Sequence, residues 1–283
     1  MPELPEVETM RRGIAAIAGR CIEDIRQPKS KLQSIEITPR LADFRRRATG
    51  CKILSVGRIG KRVVLELDCP DRIVLEPRMS GLIMLAEPPD DLHLRLVFDL
   101  SGDSAAAELL FWDQRGLGVV RLVSPEQFLQ HYGPDKVGPD ALEISAETLR
   151  QRLGKSTRAV KVALLDQQAL AGVGNLYASE ILHRAGIHPA TACRRLRPAQ
   201  WGKIHAVMRE VLDAAILHKG STLRDGTYRI ARSQAGSYQH CHWVYQRAGE
   251  RCQKCGRAEI VRVVQCGRST FFCPACQRAP RGD

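Results

Sequence analysis

Apolar positions change their spacing part-way along the 283-residue chain. A first helix is expected from about Pro2 to Ala18, opening on prolines and glutamates that favour a helix start. Residues 51–123 then carry strand signals. Leu92, Leu94, Leu96 and Phe98 alternate with His93, Arg95 and Val97 on the opposite face. Runs such as Val63-Val64-Leu65 and Ile73-Val74-Leu75 fit buried strands, and the turns between them hold Gly and Pro. The stretch from Gly133 to Asp140 is turn-rich and reads as a linker. Beyond it the period becomes helical. Ala178, Ile181, Leu182 and Ala185 share one face, stopped by Gly186 and Pro189; Ile204, Val207, Met208, Val211, Leu212 and Ala215 share another, ending at Lys219-Gly220. Between two helical stretches lies Ala171-Gly172-Val173-Gly174-Asn175, a tight turn with Asn175 expected as N-cap. Backbone N–H groups bared at such a turn suit a phosphate, although an ordinary interhelical turn explains the same residues. The pattern predicts an α+β chain of two domains. The expected segments are 1–135, a strand-rich part with the Pro2 helix; 136–235, linker and helical region; and 236–283, a cysteine-rich ribbon.

That ribbon brings in the first chemistry. Cys252, Cys255, Cys273 and Cys276 form C-x2-C-x17-C-x2-C, two hooks whose spacing suits four thiolates around one zinc ion. A redox dithiol pair or two disulfides are the alternatives. Between the hooks, Ile260–Val264, a turn at Cys266-Gly267 and Arg268–Phe272 predict a β-hairpin with Arg268 near its tip. The other six cysteines show no pairing pattern and read as reduced thiols of a cytosolic protein.

Charge then narrows the partner. Lys and Arg number 43 against 31 Asp and Glu, a net charge of +12. From residue 251 onward, seven Lys and Arg face only Glu259 and Asp283. A basic surplus around a zinc ribbon points to phosphate backbones. No apolar run approaches the ~20 residues of a membrane span, and the N-terminus lacks a signal-peptide core.

The start of the chain, Met1-Pro2-Glu3-Leu4-Pro5-Glu6, supplies a candidate nucleophile. Removal of Met1 leaves a secondary amine beside carboxylates. An α-amino group has a reference pKa of about 7.7–8.0, so part of it is neutral near pH 7. A neutral amine can attack a carbon at the aldehyde oxidation level, and a secondary amine then yields a cationic iminium, a strong electron sink. Taken alone, the same residues are simply a good helix start.

Together the motifs resemble the formamidopyrimidine-DNA glycosylase family over nearly the whole chain. The matching pieces are Pro2–Thr9, Gly60-Lys61, Arg78-Met79-Ser80-Gly81, Asp113–Gly118, Leu165-Asp166-Gln167, Gly172–Glu180, and the ribbon with Gln265–Phe271. Endonuclease VIII, a close relative, also starts Pro-Glu; Leu4 and Val7-Glu8-Thr9 look more like the formamidopyrimidine branch. The resemblance implies an N-terminal β-sandwich and a C-terminal helix–two-turn–helix with a zinc finger, with DNA in the cleft between them. It implies one structural zinc and no organic cofactor. The expected protein is a monomer acting on double-stranded DNA, with no membrane partner, in the bacterial cytoplasm at the nucleoid.

The implied reaction is excision of 8-oxoguanine and formamidopyrimidines, followed by β,δ-elimination at the abasic site. The damaged nucleotide must first be flipped out of the duplex. Pro2 then attacks C1′, with Glu3 as acid/base partner. Glu6 helps hold the amine and a water, or is an ordinary first-turn glutamate. Lys61 is implied as a cation near the amine and a phosphate. Arg268 and Asn175 are implied phosphate contacts, with His93, Lys155 and Arg158 as further backbone candidates. Met79, Arg115 and Leu117 match the residues that fill the hole left by the flipped nucleotide. The commoner residue at the last position is Phe, so Leu117 is a departure that bears on lesion search more than on chemistry. Ser221, Thr222, Arg224 and the stretch to Tyr238 correspond to a loop closing on the extruded base; without the family they read as a solvated linker. Two other classes compete: an inactive damage sensor on the same fold, against which Pro2, Glu3, Lys61 and Arg268 argue, and a basic zinc-ribbon RNA or transcription module, which leaves the N-terminal and Gly172–Asn175 motifs unexplained.

Overall fold

Two antiparallel-rich sheets share one apolar core in the first half of the chain. The computed structural model describes residues 2–102, 107–222 and 236–279. The chain divides into two compact units, Met1–Gly133 with Ala215–Gln239, and Pro134–Ala214 with His240–Asp283.

In the first unit, helix α1 (Leu4–Gly13) is followed by a single 3₁₀ turn at Ala15–Ile17. The expected helix to Ala18 therefore ends early, because Gly13 is a poor helix residue and the chain tightens there to bury Ile14 and Ile17. Strands β1 (Ile22–Arg26) and β2 (Glu36–Thr38) precede α2 (Leu41–Ala48). Then come β3 (Ile53–Ile59), β4 (Arg62–Leu67), β5 (Arg72–Glu76), β6 (Gly81–Met84), β7 (Leu94–Leu100), β8 (Glu108–Asp113) and β9 (Val119–Val123). One sheet runs β1-β7-β8-β6 and the other β2-β9-β5-β4-β3. Only β2 against β9 is parallel among these pairs. Val7, Met10 and Phe44 from the helices join Leu65, Ile73, Leu96, Phe98 and Phe111 in the core. Helix α3 (Pro125–Tyr132) closes this segment with a Ser124–Gln127 capping box.

The alternation expected around β7 is only partly realised. Leu92 lies outside the strand and is exposed, the register shifts between Leu94 and Leu96, and Arg95 and Val97 are buried on the second face. Arg95 is accommodated there because its Nε donates to the Asp113 carbonyl at 2.8 Å.

The second unit is helical. It holds α4 (Ala146–Leu153), α5 (Val160–Leu164), α6 (Asn175–Ala185) and most of α7 (Pro198–Leu217), then the hairpin of β10 (Val261–Gln265) and β11 (Arg268–Phe272). Helix α6 stops at Gly186, which takes a left-handed conformation at φ 71°. The hairpin turn, Cys266-Gly267, has positive φ at both positions (47° and 73°), as a two-residue turn matching strand twist requires. Among the described residues, no helix is long and apolar enough to cross a membrane.

Candidate active site and DNA-contacting residues

In the first unit, Pro2 and Glu3 are buried at the start of α1, not splayed into solvent. Glu6 explains how they are held. One of its oxygens accepts the Glu3 N–H at 2.9 Å and the other accepts the Ser221 N–H at 2.8 Å. A single buried carboxylate thus ties the first helical turn to a segment more than 200 residues away in sequence. Glu8 follows on the same helix. Burial alone would raise its pKa, but hydrogen bonds from Arg11 and Arg12, the Arg11 charge and a bond from Arg58 bring it down to about 2. Lys61 is half-buried in the turn between β3 and β4.

Asp113, fully buried, organises two loops at once. Its Oδ1 accepts from Ser80 Oγ at 2.6 Å and from the Arg115 N–H at 3.2 Å, and its Oδ2 accepts the Gly118 N–H at 2.7 Å. Gly81 and Gly116 allow the close approaches this needs: a Cβ at either would lie 2.5 Å from a backbone carbonyl oxygen, of Pro77 and Gln33 respectively. Arg78 is held at φ 52° immediately before Met79. The loops present Met79 (37% exposed), Arg115 and Leu117 (42% exposed) to solvent. His93 lies nearby in sequence to β7, with Nδ1 2.8 Å from Asp90 Oδ1 and its ring edge-on to Trp112.

Ser221 and Tyr238 are buried, and the two ends of their segment are tied together. The Thr222 N–H donates to Gln239 Oε1, the Gly236 N–H to Thr222 Oγ1, and the Tyr238 N–H to the Gly220 carbonyl. Arg224 and the rest of 223–235 lie outside the described residues.

In the second unit, Gly174 is the N-cap of α6 and Asn175 its first residue, so the expected capping role of Asn175 is not the one observed. Its side chain instead spans two partners: Nδ2 donates to the Ser269 carbonyl at 2.9 Å, and Oδ1 accepts from Lys161 Nζ at 2.6 Å. Lys161, 1% exposed, also donates to Thr270 Oγ1 at 2.6 Å and the Ser269 carbonyl at 3.1 Å. The buried ammonium therefore joins the Gly172–Asn175 turn to the strand that begins with exposed Arg268. Sequence reasoning missed Lys161; its only signal was a lysine among the apolar residues of Val160–Leu164. Gln167 braces the same turn, accepting the Gly172 N–H and donating to the Leu165 and Val173 carbonyls. Lys155 is exposed after α4, and Arg158 pairs with Asp166 at 2.9 Å.

The four hook cysteines converge. Their Sγ atoms all lie within 4.8 Å of one another, with Cys252–Cys276 at 3.9 Å and Cys255–Cys273 at 3.8 Å. A tetrahedron with Zn–S of about 2.3 Å has edges of about 3.8 Å, so the donor set fits zinc. None of the four is disulfide-bonded. Backbone N–H groups of Arg257 and Ala258 lower the Cys255 thiol to about 6, whereas burial pushes Cys276 up to about 12. A divalent cation is what allows such buried sulfurs to be thiolates together. The ribbon is fastened to α6 by Glu180, whose fully buried carboxylate accepts the N–H groups of Trp243, Val244 and Tyr245 at 2.8–3.0 Å.

Residues 1–120 match the formamidopyrimidine-DNA glycosylase N-terminal domain, 136–227 its H2TH domain, and 249–279 the zinc finger found in FPG and IleRS. The chain belongs to the formamidopyrimidine-DNA glycosylase family. Formamidopyrimidine-DNA glycosylases of Bacillus subtilis and Chloroflexus aurantiacus are 38% and 37% identical to it, each over 98% of this chain and 98–99% of their own length. A MutM structure in complex with DNA containing carbocyclic 8-oxo-G superposes with a TM-score of 0.83 at 32% identity, covering 98% of this chain and all of the other. The Lactococcus lactis Fpg bound to abasic-site DNA gives 0.84 at 32% identity with the same coverage. The two-domain α+β architecture and the single structural zinc site of this family member follow from these matches and from the cysteine cluster.

Proposed function

We propose that this glycosylase-family protein excises oxidised purines, 8-oxoguanine and formamidopyrimidines, from double-stranded DNA and then cleaves the strand as an AP lyase. The observation that carries the reading is the buried start of α1, where Glu6 fastens the Pro2-Glu3 segment to the Ser221 N–H. A nucleophile on a chain terminus is normally mobile; here it is pre-positioned, which removes entropy from the chemical step. Support also comes from the relatives, whose solved complexes contain 8-oxo-G and abasic-site DNA.

In this reading Met1 is absent from the working enzyme, and the Pro2 amine, neutral in part near pH 7, attacks C1′ of the flipped nucleotide. The C1′–N bond breaks, the base leaves, and Glu3 protonates the sugar ring oxygen as the ring opens to an iminium. The iminium acidifies C2′, so loss of a C2′ proton expels the 3′-phosphate, and a second elimination expels the 5′-phosphate. Glu6, with both oxygens on backbone N–H groups, acts by holding the amine's segment. Lys61 favours the neutral amine by its charge. Arg268, Asn175 and His93 grip phosphates, with Lys155 and Arg158 further along the backbone. Met79, Arg115 and Leu117 fill the vacated stack, and Ser221, Thr222, Arg224 and Tyr238 belong to the segment that receives the base. Cys252, Cys255, Cys273 and Cys276 hold zinc, which supplies folding free energy to the ribbon carrying Arg268. The three expected segments, 1–135, 136–235 and 236–283, then serve as catalytic, DNA-binding and finger portions of a monomer working at the nucleoid in the cytoplasm.

Borohydride reduction of the protein on 8-oxoguanine duplex tests this directly. A covalent adduct at Pro2 is expected, and Pro2→Gly should greatly weaken it because a primary amine on a freer backbone replaces the secondary one. An adduct on a lysine would overturn the mechanism, and abasic-site binding without cleavage would reduce the protein to a damage sensor.

A further inference from the structure

The base of the β3–β4 hairpin carries a feature the repair chemistry does not use. Beyond the Ile53–Leu67 register pair, the Asp68 N–H donates to the Lys52 carbonyl at 2.9 Å, and the Lys52 N–H donates to Asp68 Oδ1 at 2.8 Å. One step further out, Cys51 stands opposite Cys69. Both are free thiols, half-buried, and their sulfurs are 2.9 Å apart. Antiparallel partners have Cα atoms about 4.5–5.5 Å apart, inside the range of about 4.4–6.8 Å that a disulfide spans. The pair therefore closes the open end of the hairpin whose other end is the Gly60-Lys61 turn.

We propose that Cys51 and Cys69 are an oxidant-responsive dithiol that closes to a disulfide under peroxide and clamps the base of this hairpin. This does not rest on the repair reading. The hydrogen-bond pattern sets the order of events. The Cys51 S–H donates to Cys69 Sγ and is also within reach of the Arg47 carbonyl, so Cys69 is the sulfur that accepts. Burial, and next the bond to Cys69, push the Cys51 thiol up to about 12, so Cys51 keeps its proton while it donates to Cys69. The Cys69 thiolate attacks the peroxide O–O bond, giving a sulfenic acid and, with a proton, one water. The Cys51 thiol then attacks that sulfur; the S–S bond forms, the S–O bond breaks and a second water leaves. Two thiols are oxidised and one peroxide is reduced to two waters. A reducing cytosol reopens the bond by thiol–disulfide exchange, which makes the pair a sensor and not a permanent staple. A disulfide closing the hairpin restricts the unfolded chain and stiffens the segment bearing Lys61.

The test uses the zinc-loaded full chain treated with hydrogen peroxide, with zinc release monitored in parallel. Tryptic mapping without reduction should yield residues 48–52 linked to residues 63–72, and alkylation of Cys51 and Cys69 should fall by on the order of tenfold. The linked peptide should form before zinc is lost, and peroxide should raise the melting temperature by several degrees in the unsubstituted protein but not in Cys51→Ser or Cys69→Ser. Should either variant fail to fold, the peptide map of the unsubstituted chain decides alone. Cys51 and Cys69 remaining alkylatable, linking to other cysteines, or joining only after zinc release would each overturn the proposal, as would a linked form with no thermal shift.

Discussion

Replacing Lys161 with Met keeps most of the side-chain volume and removes the ammonium that three acceptors share. Asn175 Oδ1 and Thr270 Oγ1 each lose a 2.6 Å charge-assisted bond and the Ser269 carbonyl loses a 3.1 Å one, though it keeps the Asn175 amide. A buried acceptor left unmatched costs about 1–3 kcal/mol. Part of this is returned because a buried charge no longer has to be desolvated. The net expected cost is about 2–4 kcal/mol, concentrated where the Gly172–Asn175 turn meets β11. If about 2 kcal/mol of it falls on the positions of Asn175 and Arg268, affinity for a duplex with a stable abasic analogue drops about thirtyfold. Fluorescence anisotropy at fixed salt measures this, since salt alone changes such affinities steeply. Lys161 is too buried to touch a phosphate, so its effect must pass through its partners. A double-mutant cycle with Asn175→Ala should therefore show a loss smaller than the sum of the single losses. Unchanged affinity in Lys161→Met, or strictly additive losses, would refute the reasoning.

Three further outcomes are expected. Glu8 has its pKa depressed to about 2 from an ordinary 4.5, so its stabilisation is present above about pH 4.5 and is lost as pH falls through 2. Discounted for partial solvent screening, Glu8→Gln should cost about 1–2 kcal/mol at pH 7 and nothing measurable near pH 2, read by denaturant titration at each pH. Leu117→Ala should leave stability within about 0.5 kcal/mol because the side chain is exposed, yet slow excision from intact lesion duplex more than cleavage at a preformed abasic site; equal slowing on both substrates counts against a wedge role. Leu117→Phe should preserve or raise excision. Chelating zinc, or Cys255→Ser, should lower DNA binding and strand cleavage together as the ribbon unfolds, and full activity in metal-free protein would make the ribbon dispensable.

What could be read from the sequence was chemistry held at short spacing. The cysteine hooks, the proline start and the Cys266-Gly267 turn each declare themselves within a few residues, because ligand geometry, a chain terminus and a positive-φ turn are local demands. The helix ending at Gly186 was legible for the same reason. The supports were not. Lys161 meets Thr270 across 109 positions, Glu6 meets Ser221 across 215, and Asp113 gathers loops from Ser80 to Gly118. Nothing in a window of local periodicity distinguishes such a residue from a solvated lysine or glutamate. Asn175 shows the same difficulty in miniature: its type fits an N-cap, but a long-range ammonium and carbonyl claim the side chain, and Gly174 caps instead. Around β7 the alternation is only partly realised because Arg95, on the face opposite Leu96 and Phe98, is buried as well, held by a carbonyl from the neighbouring strand.

The zinc hairpin is, mechanically, a cantilever. Cys273 lies five residue steps beyond Arg268 along β11, and at about 3.4 Å per step the guanidinium stands on an arm of about 17 Å. Rotating such an arm by only about 5° at its root sweeps the tip through about 1.5 Å, enough to move a charge-assisted hydrogen bond out of range. The root is consequently where rigidity matters most, and it is there that four sulfurs, the Glu180 carboxylate on Trp243–Tyr245, and Gln277 reaching the Ile187 carbonyl are concentrated. Lys161 acts as a strut closer to the free end, at Ser269 and Thr270. Angular precision at a distant anchor, more than any contact at the tip, sets how well the terminal arginine can be aimed.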